Sequence, residues 1–504
     1  MKKFYRPEWT TGRFNPAASV AIYYNLLAGY SYFFEDCSAQ VVGYLLSVPR
    51  NGIFALDDLS KSTGIAEDCL IPFLDELLHL GLITESVPTE AGIKDYRHQL
   101  SVARCSNTQK PKTVREKLPM DTSTAEMSYT EKAGGITSVM FELTYNCSEQ
   151  CVHCYNIGAT RNDMEISRRA DREELKLDDY KRIIDELYAQ GLVKVCLSGG
   201  DPFSKPFVWD IISYLYEKGI VFDVYTNGQR IVKDAERLAK FYPRVVGISI
   251  YSGEAADHDY ITRVKGSWEK SMSVVRQLSA MAVPLNLKCC IMRPNVKTYR
   301  QVADLARQYG AESQFEVSLN DSIDGDHCVS KYLRLTPELL EIVLRDSNIP
   351  LYVGSEAPNY GGQKRPMDQS PCGAAKNSFC ITPEGNLIPC CAFHLEFGNL
   401  GQHSLVEVLQ SESLKKWREL TLLQYDECGQ YDYCDYCNLC PGVNYTEHGT
   451  PRKAGAGNCY LAKVRYELAH KMMNGYDPLQ SKTLEDCLAV LPPYKPVALQ
   501  REKE

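Results

Sequence analysis

Three cysteines, Cys147, Cys151 and Cys154, fall within eight residues of the run LTYNCSEQCVHCYNIG, at C-x3-C-x2-C spacing. Thiolates are soft ligands that suit zinc or iron–sulfur clusters. A structural zinc site closes with a fourth protein ligand. His153 is the local candidate for that place, but it adjoins Cys154 and is awkwardly positioned. Three cysteines on a four-iron cluster would instead leave one iron open to a ligand from outside the chain. A second concentration lies toward the C-terminus: Cys372, Cys380, Cys390, Cys391, Cys428, Cys434, Cys437, Cys440 and Cys459. It includes a Gly-x4-Cys step ending at Cys390 and two C-x2-C steps in CDYCNLCPG.

The chain has 504 residues, 20 of them cysteine, with a net charge of −8. The acidic balance gives no bias toward nucleic acid or anionic membranes. No apolar run of transmembrane length and no signal peptide is visible, so a cytoplasmic location is expected. Disulfides are disfavoured there, and clustered cysteines read as metal or cluster ligands. The scattered ones, Cys37, Cys69, Cys105, Cys196, Cys289, Cys290, Cys328 and Cys487, read as small apolar packing residues.

The elements that must position these groups fall into three regions. Residues 18–34 predict two strands joined by a turn around Leu27–Gly29. Three helices follow in SAQVVGYLLSV, ALDDLSKSTG and AEDCLIPFLDELLHLGLI, the last leading through Leu80–Ile83 into a strand. This predicts a winged-helix-like unit over 1–95. The polar stretch 96–135 has no clear period and predicts a linker. From 136 to 330 apolar runs alternate with helical patterns, with strands expected at 138–143, 193–198, 221–226, 245–250, 284–292 and 315–319. The fold class predicted is α/β, an open barrel of six strands with crossover helices and functional loops at the strands' C-terminal ends. A connecting segment covers 331–370, a cysteine-rich domain 371–462, and a C-terminal helix and tail 463–504.

C-x3-C-x2-C directly after the first barrel strand resembles the radical S-adenosylmethionine (SAM) superfamily. Further likenesses stand in order: LSGGDP after the second strand, YTNG after the third, ISIYS on the fourth, and HDYITRVKGSWEKSM. The resemblance implies a partial (β/α)6 TIM-like barrel. It implies a [4Fe–4S] cluster on Cys147, Cys151 and Cys154 with SAM as the missing ligand. His153 would pack by the adenine, Gly199, Gly200 and Asp201 would meet the methionyl amine, and Asn227 and Ser249 would lie near SAM. Asp201 stands where the family usually has Glu.

The C-terminal cysteines resemble the SPASM extension of that superfamily, which implies two auxiliary [4Fe–4S] clusters and three clusters in all. Cys372, Cys380, Cys390 and Cys440 would hold the first, and Cys428, Cys434, Cys437 and Cys459 the second. The family usually has C-x2-C-x5-C-x3-C, whereas Cys428 to Cys440 read C-x5-C-x2-C-x2-C, which leaves the partition open; Cys391 is surplus and a candidate to replace Cys390. Two structural zinc ribbons are the alternative reading.

A winged helix also invites a DNA-binding or zinc-binding regulator. Residues 1–85 hold six Lys/Arg against ten Asp/Glu, and the third helix has Glu67, Asp68, Asp75 and Glu76 with no cation. Phosphate neutralisation fails on such a helix. The unit resembles instead the PqqD-like RiPP recognition element, which implies a precursor peptide whose leader adds as a strand at a sheet edge. The expectation is a maturase of a ribosomally made peptide, served by an electron donor such as flavodoxin or ferredoxin, with no nucleic acid and no membrane as partner. A thioether cross-link is the favoured product. C–C or C–O cross-linking and epimerisation are the alternatives, the last with Cys289, Cys290 or Cys328 as hydrogen donor.

Overall fold

A computed structural model describes residues 2–109, 122–156, 174–322, 327–354 and 366–496. The N-terminal unit holds β1 (Lys3–Tyr5), β2 (Thr10–Asn15), β3 (Val20–Asn25), β4 (Tyr30–Glu35) and β5 (Ile53–Ala55). β2, β3 and β4 form an antiparallel sheet in that order, and β1 pairs with β5. Three helices follow, Asp36–Ser47, Leu56–Thr63 and Glu67–His79. The sheet is buried on both faces because successive side chains alternate across it. Ala21 and Tyr23 pack on the three helices. Val20, Ile22 and Tyr24 pack on Tyr129, Val193, Val221 and Tyr242, which places this face against the base of the barrel. The strand into which Leu80–Ile83 was expected to lead is short, a single bridge between Thr84 and Tyr5.

The barrel strands are β6 (Ser138–Glu142), β7 (Lys194–Ser198), β8 (Val221–Thr226), β9 (Val245–Ser249), β10 (Leu285–Cys290) and β11 (Glu312–Glu316). All five pairings among them are parallel. Their near-continuous apolar runs are what a sheet covered by crossover helices requires. β11 lies earlier than the expected 315–319, because its register is set by β10, with Asn286 opposite Glu312 and Cys290 opposite Glu316. The sheet then continues past β6 into β12 (Ser378–Ile381), β13 (Asn386–Ile388) and β14 (Gly398–Asn399). β12 runs parallel to β6, so the cysteine-rich region starts as part of the barrel sheet.

The expectation of a linker over 96–135 is corrected. Helices occupy Glu90–Gln109 and Thr122–Ala133. The first packs Ile93, Tyr96 and Leu100 against the apolar cluster at the barrel base and is held further by side-chain donors. Arg97 donates to the carbonyls of Met281 and Ala239, Arg104 to those of Leu27, Ala28 and Ala282, and the Ser101 hydroxyl to that of Ser279. The second buries Tyr129 and sets Glu126 against Tyr24, Lys194 and Arg244. Arg244 in turn pairs with the buried Asp223. A boundary at 95 therefore cuts a helix. One at 462 does too, since the C-terminal helix runs unbroken over Ala456–Met473.

Candidate active site: the cluster loop and two further cysteine sets

The cysteine loop leaves β6 at its C-terminal end and is fastened from several sides. The Glu149 amide donates to Cys147 Sγ at 3.4 Å, and Asn227 Nδ2 donates to the same sulfur at 3.3 Å. Hydrogen bonds to cluster sulfurs are one of the means by which a protein tunes such a site. Gly199 has φ +126°, and a Cβ there would lie 2.4 Å from the Thr144 carbonyl oxygen. A Cβ on Gly200 would lie 2.5 Å from that of Asn146. Only glycines let this turn close on the loop backbone. Beneath it, Lys205 pairs with Glu174 at 2.6 Å, and Thr144 donates to the same carboxylate.

Burial pushes the Cys147 thiol up to about 12, with the neighbouring carboxylates of Asp201 and Glu149 adding to it, and also pushes Cys151 well above the usual thiol range. Thiolates in such surroundings require a compensating cation, which an iron–sulfur cluster supplies. Asp201 is fully buried at the end of β7. One carboxylate oxygen accepts from Thr226 Oγ1 at 2.6 Å, and the other has no partner. An unpaired carboxylate oxygen fits a bound ammonium, as on the methionyl end of SAM.

His153 is half-buried with its ring 4.7 Å from that of Tyr251, edge to face, and desolvation lowers its pKa to about 4, so it is neutral at physiological pH. Ser249 lies on the interior face of β9, because Val246 and Ile248 belong to the outer core and Gly247 abuts Tyr225 and Lys288 inside. Asn227 is turned toward the cluster loop. In the HDYITRVKGSWEKSM segment, Asp259 accepts from the amides of Gly266 and Trp268 and from the Ser267 hydroxyl, capping the helix Ser267–Ala280.

The C-terminal cysteines separate into groups. Cys428, Cys434, Cys437 and Cys459 line one cavity of about 210 Å³ with Tyr431 and Tyr433. That is several times the ~30 Å³ share of one water. Among the described residues no three His, Cys, Asp or Glu side chains converge on one point as ligands of a single ion would. Cys372, Cys390 and Cys440 neighbour one another electrostatically, and each sulfur receives backbone amides, from Ala374, from Ala392, and from Gly442 and Val443.

Cys380 is near Cys390 among these three. Its row in the sheet runs through Met140, Cys196 and Asp223, on the face opposite Val139, Phe141 and Phe379 of the outer core. It therefore faces the barrel interior, near Cys390, Cys391, Cys196 and Glu142. Cys391 also turns inward, against Tyr155 and Glu142. Of the proposed hydrogen donors, Cys290 lies on the interior face of β10, whereas Cys289 is in the outer core and donates to the Tyr251 carbonyl. The side chain of Cys328 lies outside the described residues.

Two buried carboxyls, Glu142 and Glu149, escaped the reading of the sequence. Burial pushes both up to about 8, and each keeps one oxygen without a hydrogen-bond partner. A carboxylate closing the apolar run SVMFEL was the available signal for the first.

Barrel, cysteine loop and further cysteine sets together present thiol groups of the kind that suit iron–sulfur clusters. Residues 141–308 match the radical SAM superfamily, and residues 372–441 match an iron–sulfur cluster-binding domain, SPASM. These two matched regions carry the chain's likeness to radical SAM/SPASM enzymes. The chain is 25% identical over 315 residues to the antilisterial bacteriocin subtilosin biosynthesis protein AlbA of Bacillus subtilis, covering 60% of this chain and 66% of that one, just under two thirds of its length. It is 24% identical over 329 residues to the AdoMet-dependent heme synthase of Methanosarcina barkeri, covering 60% and 90%. The crystal structure of Streptococcus suis SuiB bound to precursor peptide SuiA shares the fold at a TM-score of 0.52 and 14% identity, over 90% of this chain and 99% of that one. No helix among the described residues is long and apolar enough to cross a membrane.

Proposed function

We propose that this enzyme matures a ribosomally made precursor peptide in the cytoplasm. The observation that carries the chemistry is the Cys147–Cys151–Cys154 loop at the barrel mouth beside the unpaired carboxylate oxygen of Asp201. When bound, a reduced [4Fe–4S] cluster with SAM supplies a 5′-deoxyadenosyl radical that removes a hydrogen atom from a C–H bond. The chain's own residues hold and orient. The three thiolates bind the cluster, Asp201 accepts the methionyl ammonium, Gly199 and Gly200 keep the turn close, and His153 and Ser249 flank the nucleoside. The SPASM cysteines would hold two auxiliary clusters, three with the one at the barrel mouth, and these would supply electron-acceptor chemistry. Flavodoxin or ferredoxin chemistry supplies the first electron.

A peptide substrate is favoured by the extent of the likenesses. The matches to AlbA and to the heme synthase each cover 60% of this chain, while that to the peptide-bound SuiB fold covers 90%. With 504 residues, the latter extends into the N-terminal sheet-and-helix unit. This unit is read as a PqqD-like winged-helix recognition element that pairs with the leader as an added strand. A thioether cross-link is the favoured product. Cys290, on the barrel's interior face, gives the epimerase reading its one placed hydrogen donor.

The experiment is co-expression with a short precursor encoded nearby, read by mass spectrometry. Loss of two hydrogens together with SAM-dependent deoxyadenosine supports a cross-link. An unchanged mass with deuterium taken up from solvent supports epimerisation. An unmodified peptide, with turnover only on a non-peptide substrate, overturns the maturase reading.

A further inference from the structure

A cavity of about 470 Å³ lies between the outer edge of β2 and the base of the barrel, lined by Arg6, Thr11–Phe14, Leu46–Arg50, Tyr188 and Glu217–Gly219. Three of the six Lys/Arg of residues 1–85 meet here, Arg6, Arg13 and Arg50, although that stretch is acidic overall. All three donate to backbone carbonyls: Arg6 to those of Leu46, Val48 and Thr10, Arg13 to those of Tyr188 and Leu192, Arg50 to that of Tyr216. Carbonyl dipoles orient guanidinium groups without cancelling their charge, and among the described residues none of the three forms an ion pair with a carboxylate. Lys218, also in the lining, does have such a partner in Asp185. Glu217 is the lining's one carboxylate. Arg6 is only 6% exposed, and its Nε has no hydrogen-bond partner.

The strand edge adds a second kind of recognition. The Trp9 carbonyl accepts from Leu26 across the sheet, whereas the Thr10 amide and carbonyl bond away from β3, to Pro7 and Arg6. Antiparallel pairing alternates with period two. Gly12 and Phe14 therefore share the outward register of Thr10, and both line the cavity. With the outward groups of Thr10 already bonded, the stretch 11–15 offers an edge of roughly 15 Å. Exposed edges are normally blocked, and one facing three arginines with no close ion-pair partner among the described residues (Glu8 acts on Arg50 only from further off) is a place for an added strand carrying negative charge.

We infer that this groove binds an extended acidic peptide segment, which pairs with the β2 edge and sets its carboxylates against Arg6, Arg13 and Arg50. This deepens the maturase reading by naming the chemistry of the leader segment it would capture.

The test uses the full-length, cluster-loaded protein and fluorescence anisotropy with three fluorescein-labelled probes: an eight-residue peptide of alternating Glu and Val, its Lys–Val counterpart, and an eight-residue oligothymidine. The Glu–Val peptide is expected to bind at least tenfold more tightly than either of the others. Methylating alternate backbone nitrogens of that peptide, and the double variant Arg13→Glu/Arg50→Glu, should each weaken binding tenfold or more. Arg13→Lys/Arg50→Lys, which keeps the charge, should retain most of it. Hydrogen exchange of the wild-type protein should show the Gly12 and Phe14 amides protected by the Glu–Val peptide, a readout that stands if the reversed variant fails to fold. Equal affinity for the Glu and Lys peptides, tighter binding of oligothymidine, or no protection at Gly12 and Phe14 overturns the proposal. None of these readouts needs turnover. Absence of SAM cleavage by the wild-type protein would count against the proposed reaction and not against the groove.

Discussion

Asp201 keeps one oxygen on Thr226 and one free, so Asp201→Asn should weaken SAM binding by at least tenfold while iron content stays unchanged, measured by equilibrium dialysis of the reconstituted protein; restored affinity in Asp201→Glu would fit a carboxylate–ammonium contact. Cys390 and Cys391 are neighbours in sequence with opposite surroundings. Cys390→Ala should lose iron from one auxiliary cluster, and Cys391→Ala should keep it; equal loss from both would refute this partition. Away from the cysteines, burial lowers His258 to about 4 while its Nδ1 accepts from the Tyr251 amide. The unfolded chain then binds the extra proton below pH 6.5, so stability is full above that value and falls as pH drops toward 4, by on the order of 1–3 kcal/mol. Urea unfolding at pH 7 and pH 5 should show the loss, and His258→Gln should reduce it. The cysteine sets could be singled out in the sequence because spacing is a local property. Glu142, Glu149 and the inward turn of Cys380 were not, since burial and facing arise only when strands distant in sequence are set side by side.

At the scale of elements, alternating strands and amphipathic helices of the barrel announce themselves by period, and β6 to β10 lie within a residue or two of where the apolar runs put them. The helix Glu90–Gln109 was missed although Ile93, Tyr96 and Leu100 recur at helical spacing, because that stripe is short and the residues beside it that hold the helix, Arg97, Ser101 and Arg104, are polar. β11 was misplaced because FEVSL looks more like a strand than ESQFE, yet pairing with β10 sets the register. The helix Thr122–Ala133 hangs on one aromatic. Tyr129 is 2% exposed between the N-terminal sheet and the barrel base. Tyr129→Ala should cost about 3 kcal/mol or more. Thermal unfolding followed by far-UV circular dichroism would register it as a lower midpoint, and an unchanged midpoint would deny the helix its role.

For the molecule as a whole, the N-terminal unit is a base plate rather than an appendage. Its sheet covers Val193, Val221 and Tyr242, and the helix Glu90–Gln109 ties it down. Deleting residues 1–90 should therefore give aggregated or poorly folded protein, checked by size-exclusion chromatography; a monodisperse truncation with full cluster content would contradict this. The opposite flank of the molecule is joined more tightly still. β12 hydrogen-bonds along β6 from Ser378 to Ile381, so one backbone ladder runs from the strand that ends at the Cys147 loop to the strand that carries Cys380 and leads to Cys390. Electron tunnelling decays steeply with distance, and two redox centres on a hinge would see their coupling flicker with every opening. Here the spacing between the first cluster and its nearest auxiliary would be gauged by peptide geometry, as fixed as the pitch of the sheet, so electron flow between them would be timed by chemistry at the substrate and not by motion of the protein.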